Sequence, residues 1–158
     1  MNSFSKTFYV RKLNKNDIDL VYEMCCKNLM FYQYHPPFVT KDSILKDMEA
    51  LPPNKSYDDK FYVGFFNNDN LIAIMDLILD YPETGIAFIG LFMTNTDYQN
   101  KGIGSNIINK ITIYLKSLGY KKIHLGIDKG NLQSYNFWSK NNFKIINENK
   151  YIIMELIL

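Results

Sequence analysis

The sequence is short of several residue types at once. It has one arginine, Arg11, one tryptophan, Trp138, two histidines and two cysteines among 158 residues. No apolar run approaches the ~20 residues of a membrane-spanning helix, so a membrane partner is not expected. There is no internal repeat, no low-complexity tract and no Gly/Pro-rich linker, which points to a single domain over residues 1–158. The cysteines, Cys25 and Cys26, are adjacent. A zinc site wants ligands two to four residues apart with partners elsewhere, and His35 and His124 alone do not supply them, so no metal is expected. Two unframed thiols fit a reducing cytoplasm, the expected localisation. The opening MNSFSKTFYV lacks the apolar stretch of a signal peptide and reads as mature protein. Basic and acidic residues number 18 and 16, for a net charge of +2. That balance argues against nucleic acid as a partner, and the absence of an acidic run argues against a dedicated polycation site. With one arginine, any phosphate has to be held by backbone N–H groups and lysines.

What the chain has is apolar and aromatic bulk, 47% and 15% of its residues. A domain of this length buries roughly 70% of the surface its unfolded chain exposes and needs no staple. Phe8 to Leu13 reads as a strand. Asn16 is placed to cap a helix over about Asp17 to Leu29, where Ile18, Val21, Met24, Cys25 and Leu29 recur at helical spacing. Tyr32 to Val39 contains His35-Pro36-Pro37 and is expected to be a loop. Thr40 then caps a helix over about Lys41 to Leu51. Phe61 to Phe66, Leu71 to Asp80 and Ile86 to Thr94 read as an antiparallel meander turned by Asn67-Asn68-Asp69-Asn70 and by Tyr81 to Gly85. An amphipathic helix over Gly104 to Leu118 ends at Gly119. Lys122 to Ile127 is a strand, Leu132 to Asn141 a short helix, and Phe143 to Asn149 with Tyr151 to Leu158 a last hairpin. The expected order is β-α-α-β-β-β-α-β-α-β-β. This is a mixed α/β fold with one mostly antiparallel sheet of about seven strands and about four helices. Its one parallel crossover runs from Ile86 to Ile127.

The segment Gln99-Asn100-Lys101-Gly102-Ile103-Gly104-Ser105 lies between a buried strand and a helix. Glycines let backbone approach a ligand, and a helix start offers free N–H groups and partial positive charge to a pyrophosphate. The P-loop pattern G-x-x-x-x-G-K-[ST] is absent. A dinucleotide fingerprint G-x-G-x-x-G would put its third glycine at Ile107, and its glycines follow the strand too late, although Asp128 ends the next strand at a tolerable distance. The third scheme is acyl-coenzyme A binding. Gln99 to Gly104 resembles the Q/R-x-x-G-x-G/A loop of the GNAT (Gcn5-related) N-acetyltransferases. Asn131-Leu132-Gln133-Ser134-Tyr135-Asn136-Phe137-Trp138-Ser139-Lys140-Asn141-Asn142-Phe143 is similar to that family's second motif, N-x-x-A-x-x-F-Y-x-K-x-G-F. The two motifs occur in order and at the family spacing.

The resemblance implies the GNAT fold, acetyl-CoA as cosubstrate and direct attack of a primary amine on the thioester. It implies that Phe92, Met93 and Thr94 pair with the pantetheine arm and that residues 99–105 cradle the pyrophosphate. Asn131, Ser134, Trp138 and Lys140 would line the cofactor from the second motif, and Phe92 would offer a backbone N–H to the oxyanion. Trp138 stands where the family has tyrosine, and indole is no general acid. Tyr135, one turn earlier, is the substitute candidate. The lost tyrosine also leaves open a non-catalytic acyl-CoA-binding domain. Asn142 replaces the usual glycine, a mild change because asparagine tolerates left-handed backbone.

From the residues themselves, Asp76 stands out as one carboxylate in the apolar run Leu71 to Leu79. Burial raises a carboxyl pKa toward values useful to a base or an amine site. Glu83 in the next turn is a second candidate. The aromatic segment Phe31 to Phe38, with Tyr34 and His35, is expected to wall a small-molecule or peptide amine. The protein is expected to act as a monomer or a homodimer.

Overall fold

Seven strands form one sheet in a computed structural model that describes residues 7–158. The strands are β1 (Tyr9–Lys12), β2 (Lys60–Asn67), β3 (Asn70–Leu79), β4 (Ile86–Thr94), β5 (Lys122–Ile127), β6 (Lys144–Glu148) and β7 (Ile152–Ile157). They lie in the order β1-β2-β3-β4-β5-β7-β6. All neighbours are antiparallel except β4 and β5, which the expected crossover makes parallel. Part of the opening segment, residues 1–6, lies outside the described residues.

Five helices flank the sheet: α1 (Ile18–Lys27), α2 (Leu29–Tyr34), α3 (Lys41–Glu49), α4 (Ile103–Ser117) and α5 (Leu132–Lys140). On one face, Ile107, Ile108, Ile111 and Leu115 of α4 pack with Trp138 of α5 on Val63, Met75, Ala87, Ile123 and Leu125. On the other, Val21, Met24 and Cys25 of α1 and Ile44 and Met48 of α3 pack on Tyr62, Ile74 and Met93. The meander and the βαβ unit stand as expected, and Gly119 takes φ 91° just beyond α4.

Two local expectations are corrected. The segment before the prolines is partly helical, because Pro36 bars only the residues just before it. The chain therefore turns once more, as α2, and breaks at Asn28 instead, whose φ of −89° and ψ of 56° leave the helical region. Buried Asn28 stabilises that break by donating from Nδ2 to the Met24 carbonyl at 3.1 Å. The capping asparagine is Asn14, not Asn16, and it caps a single 3-10 turn (Lys15–Asp17) that leads into α1. The Asn14 side chain accepts from the Asn16 N–H at 2.9 Å, and the Asp17 carboxylate accepts from the Asn14 N–H at 2.9 Å.

The sheet is open at its parallel pair. β4 and β5 pair from Ile86–Lys122 only as far as Ile89–Leu125. Beyond that point β4 stays with β3 up to Thr94, and β5 stays with β7 up to Ile127. A bulge in the β3–β4 ladder between Asp76 and Leu77 skips Gly90, and a bulge bends and twists its strand. The two strands therefore part, leaving a cleft between them in which both Gly90 and Gly126 are exposed.

The single arginine is spent on this scaffold. Arg11 donates to both Asp17 oxygens, at 2.7 and 2.9 Å. The guanidinium holds the Asp17 carboxyl below the usual carboxylate range, against the opposing effect of burial. A lowered pKa gives stability that is present above the unfolded-state value and is lost as pH falls through the folded-state value. Asp17→Asn is expected to lower stability at pH 7 by about 1–2 kcal/mol. It is also expected to flatten the loss of stability below about pH 4, as read by urea denaturation across pH.

Candidate active site

The β4–α4 loop builds the first cavity. Gly102 enters α4 with φ 76°, left-handed backbone that suits glycine, and supplies no side-chain cap. The N–H groups of the first turn thus have no intrahelical partner, and the first bond back is Asn106 N–H to the Gly102 carbonyl at 3.0 Å. Asn100 also takes positive φ, 58°. The loop is tied down by Gln99, whose Nε2 donates to the Thr94 carbonyl at 3.0 Å and to Asn28 Oδ1 at 2.8 Å. Gly104 is packed tightly: a Cβ there would lie 3.1 Å from the Phe137 ring and 3.3 Å from Thr94 Oγ1. The glycine thus allows α4 to approach both α5 and β4.

The resulting cavity holds about 460 Å³. Its walls are Phe92, Met93 and Thr94 on β4, Gln99, Asn100, Gly102, Gly104 and Ser105 at the helix start, and Ser134, Asn136, Phe137, Trp138 and Lys140 on α5. An aromatic stack supports α5: Phe92 lies 5.8 Å from Phe137 and 5.9 Å from Trp138, and Trp138 lies 5.0 Å from Phe143. Asn142 lets the chain leave α5 with φ 67°.

A second cavity, of about 530 Å³, fills the cleft between β4 and β5 under α2 and α3. Phe31, Phe92, Ser134 and Trp138 line both cavities, so the two meet there. Asp76 faces the second cavity beside Gly90, where a Cβ would lie 3.0 Å from Asp76 Oδ2. Lys60 Nζ donates to the same oxygen at 2.7 Å. Burial raises the Asp76 pKa, and Lys60 opposes that rise. Tyr62 is the cross-strand neighbour of Asp76. Asp76 Oδ1 and the Tyr62 hydroxyl are both buried without a hydrogen-bond partner. His35 Nδ1 lies 3.0 Å from Asp128 Oδ2 and joins the end of α2 to the β5–α5 loop across the cleft.

The structure brings together most of the residues expected from sequence, but not all. Tyr135 is 38% exposed and lines neither cavity, because α5 turns its Trp138 face to the cleft. Glu83 sits in the exposed β3–β4 turn, also outside both cavities. The Lys101 ammonium points back to the Asp97 carbonyl at 2.8 Å. Ile103 packs into the core. Asn131 is buried as the cap of α5, its Oδ1 accepting from the Ser134 N–H at 3.0 Å. Tyr34 packs beside Gly130 and borders neither cavity. Sequence reasoning missed Asn28, Gln133, Asn136, Asp47 and Tyr62. A buried Asn between two helices is a readable signal only once the break at Asn28 is known. His124 bonds Glu155 at 2.8 Å, away from both cavities. Among the described residues no three His, Cys, Asp or Glu converge on a metal position.

A cradle of free N–H groups opening into an apolar slot beside an unpaired strand edge defines a site for an acylated, phosphate-bearing carrier. The family model described as Acetyltransferase (GNAT) family matches residues 27–143. The chain belongs to the GNAT acetyltransferase family. It is an acetyl-CoA-dependent acetyltransferase. No curated protein matches its sequence. Among solved structures it is similar to an acetyltransferase from Thermus thermophilus, with a TM-score of 0.82 at 16% identity over 96% of this chain and 97% of that one. It is similar to the PaiA N-acetyltransferase from Thermoplasma acidophilum, solved in complex with coenzyme A, with a TM-score of 0.73 at 19% identity over 96% and 99%. It is also similar to the ribosomal-protein-S18-alanine N-acetyltransferase from Escherichia coli, with a TM-score of 0.68 at 14% identity over 95% and 93%.

The first cavity fits coenzyme A on this chain's own terms: uncapped N–H groups suit a pyrophosphate, and an apolar slot between β4 and α5 suits a pantetheine arm. Gly104→Glu is therefore expected to weaken coenzyme A binding by at least about a hundredfold, by displacing Phe137 and by placing charge at the phosphate cradle. Isothermal calorimetry on variant protein with an unchanged far-UV spectrum checks this. Wild-type affinity in that variant would remove the loop from the binding site.

Proposed function

We propose that the protein transfers the acetyl group of acetyl-CoA to the primary amine of a small molecule or a peptide, by direct attack of the amine nitrogen on the thioester. The observation that carries this reading is the meeting of two cavities at Phe92, Ser134 and Trp138, with the buried carboxylate of Asp76 facing the second of them. The cofactor enters along the first cavity, held by the N–H groups at the start of α4 with Lys140 at the rim. The acceptor enters the second, past the bridge of His35 and Asp128.

Each residue has a task. The walls hold two substrates in line, which supplies much of the rate by removing the entropy of encounter. Asp76, whose charged form Lys60 favours against burial, takes the first proton that the amine must lose, directly or through a water. As the nitrogen–carbon bond forms, charge on the acyl oxygen faces the backbone N–H of Phe92. The carbon–sulfur bond then breaks toward α5. Among the described residues Ser134 is the one hydroxyl-bearing residue that lines both cavities; it donates a hydrogen bond to the departing thiolate, and solvent carries to that sulfur the second proton, which the nitrogen loses as the amide forms. Tyr135 and Glu83 take no part.

The free thiols Cys25 and Cys26 support a reducing cytoplasm as the working compartment. Burial pushes the Cys25 thiol up to about 11, so it is inert there. The protein works as a monomer or as a homodimer paired along β6, an edge strand exposed over its whole length.

The test is acetyl transfer from acetyl-CoA across an amine panel, with product identified by mass. Asp76→Asn is expected to lower kcat about a hundredfold with coenzyme A affinity retained. A base must be unprotonated, so activity falls as pH falls through the raised Asp76 pKa. Lys60→Met removes the charge that opposes this rise and is expected to move the acid limb of the kcat/KM profile to higher pH. A limb that stays in place in Lys60→Met would exclude Asp76 as the base.

A further inference from the structure

We infer that the acceptor carries a second cationic group besides the reacting amine, and that Asp47 on α3 is the residue that selects it. The inference rests on the second cavity being the acceptor site. Three carboxylates face that cavity, Asp47, Asp76 and Asp128, each from a different element. Two of them are already matched by charge: Lys60 lies 2.7 Å from Asp76, and His35 lies 3.0 Å from Asp128. Asp47 forms no ion pair or hydrogen bond among the described residues. Its accessible surface opens on the cavity mouth. Enough protein surrounds it that burial raises its pKa, with His35 and Lys60 acting from a distance in the opposite direction. Asp47 itself is exposed, so the cationic group of a ligand can reach it without displacing a partner.

The second, independent observation lies on the sheet. Tyr62 is only 4% exposed, yet its hydroxyl has no partner and it lines the same cavity. Asp76 Oδ1, across the strand pair, is likewise unpartnered. Both oxygens lie closed off just beneath the lining of the second cavity beside Gly90, and a small shift of that lining offers them as acceptors to the N–H bonds of one ammonium. That seat belongs to the reacting nitrogen. Asp47 enters from the helix layer, opposite the sheet, so one nitrogen at the Asp76 seat leaves it uncompensated. A diamine whose far ammonium reaches Asp47 satisfies both. The walls between them include Phe31, Tyr32 and Phe88, which suit the hydrocarbon linking two ammonium groups. A carboxylate at the far end would meet Asp47 as a like charge.

Three acceptors of similar length separate the possibilities: 1,4-diaminobutane, pentylamine and 4-aminobutanoate, each with wild-type enzyme and acetyl-CoA. The diamine is expected to exceed pentylamine in kcat/KM by about tenfold or more, with 4-aminobutanoate below both. Asp47→Asn is expected to bring the diamine-to-pentylamine ratio near one through KM. Asp47→Glu is expected to keep the ratio, and Asp47→Lys to shift it toward 4-aminobutanoate. A ratio near one in the wild type, or a ratio that Asp47→Asn leaves in place, overturns the inference. Calorimetric binding of 1,4-diaminobutane to wild type and Asp47→Asn gives the same comparison without turnover. Acetyl-CoA that fails to bind, or that gives no transfer to any amine, defeats the acetyltransferase reading. Diamine affinity equal in the two proteins defeats the diamine inference alone.

Discussion

The interruption of backbone pairing after Ile89 and Leu125 is the constraint on which both cavities depend. A parallel pair that continued to Thr94 and Ile127 would close the sheet and bury the edge of β4. The bulge at Gly90 prevents this by bending β4 toward β3, which keeps its ladder with β4 up to Thr94. Antiparallel pairing on the far side of each strand holds the two halves apart, so the opening costs few hydrogen bonds beyond those of the cleft itself. Gly90 matters a second time, because Asp76 Oδ2 occupies the space its Cβ would need.

The same separation explains why the polar groups of the cleft carry meaning. A sheet interior normally pairs or excludes its polar atoms. Here Lys60 and Asp76 are paired in the buried floor, while one oxygen of Asp76 and the hydroxyl of Tyr62 are left unpaired beside it. Both atoms are closed off from solvent but belong to residues that line the second cavity, and an ammonium has the donors they lack. Charge in the cleft is likewise assembled from distant segments. Asp47, Asp76 and Asp128 lie on α3, on β3 and beyond β5, so a sequence without an acidic run still presents three carboxylates to one cavity.

The single arginine illustrates how a scarce residue is allotted. It locks the turn between β1 and α1 through Asp17, and it lines neither cavity. A phosphate in the first cavity would meet the uncapped backbone N–H groups at the start of α4, in keeping with the lack of arginine. The lysine within the loop, Lys101, turns back on the loop itself, and Lys140 from α5 lines the cavity in its place.

Periodicity and turn chemistry determined the strands, the crossover helix and the order of elements, because apolar spacing and Gly/Asn turns act over a few residues. The glycine loop and the α5 motif determined the cofactor class for the same reason: each is a local backbone device. The break at Asn28 was not legible, since it depends on a buried side chain satisfying a helix carbonyl. Nor was the fate of Tyr135, whose helical spacing from Trp138 does not say which face turns to the cleft. Packing of Phe92, Phe137, Trp138 and Phe143 decided that. The second cavity was legible only in part: Asp76 and the aromatic segment before Phe38 stood out in the sequence, but which other groups face them is decided by the tertiary structure. Its groups lie on strands, helices and loops up to 93 residues apart, as His35 and Asp128 show, and no local pattern encodes which side chains meet across a cleft made by two strands parting.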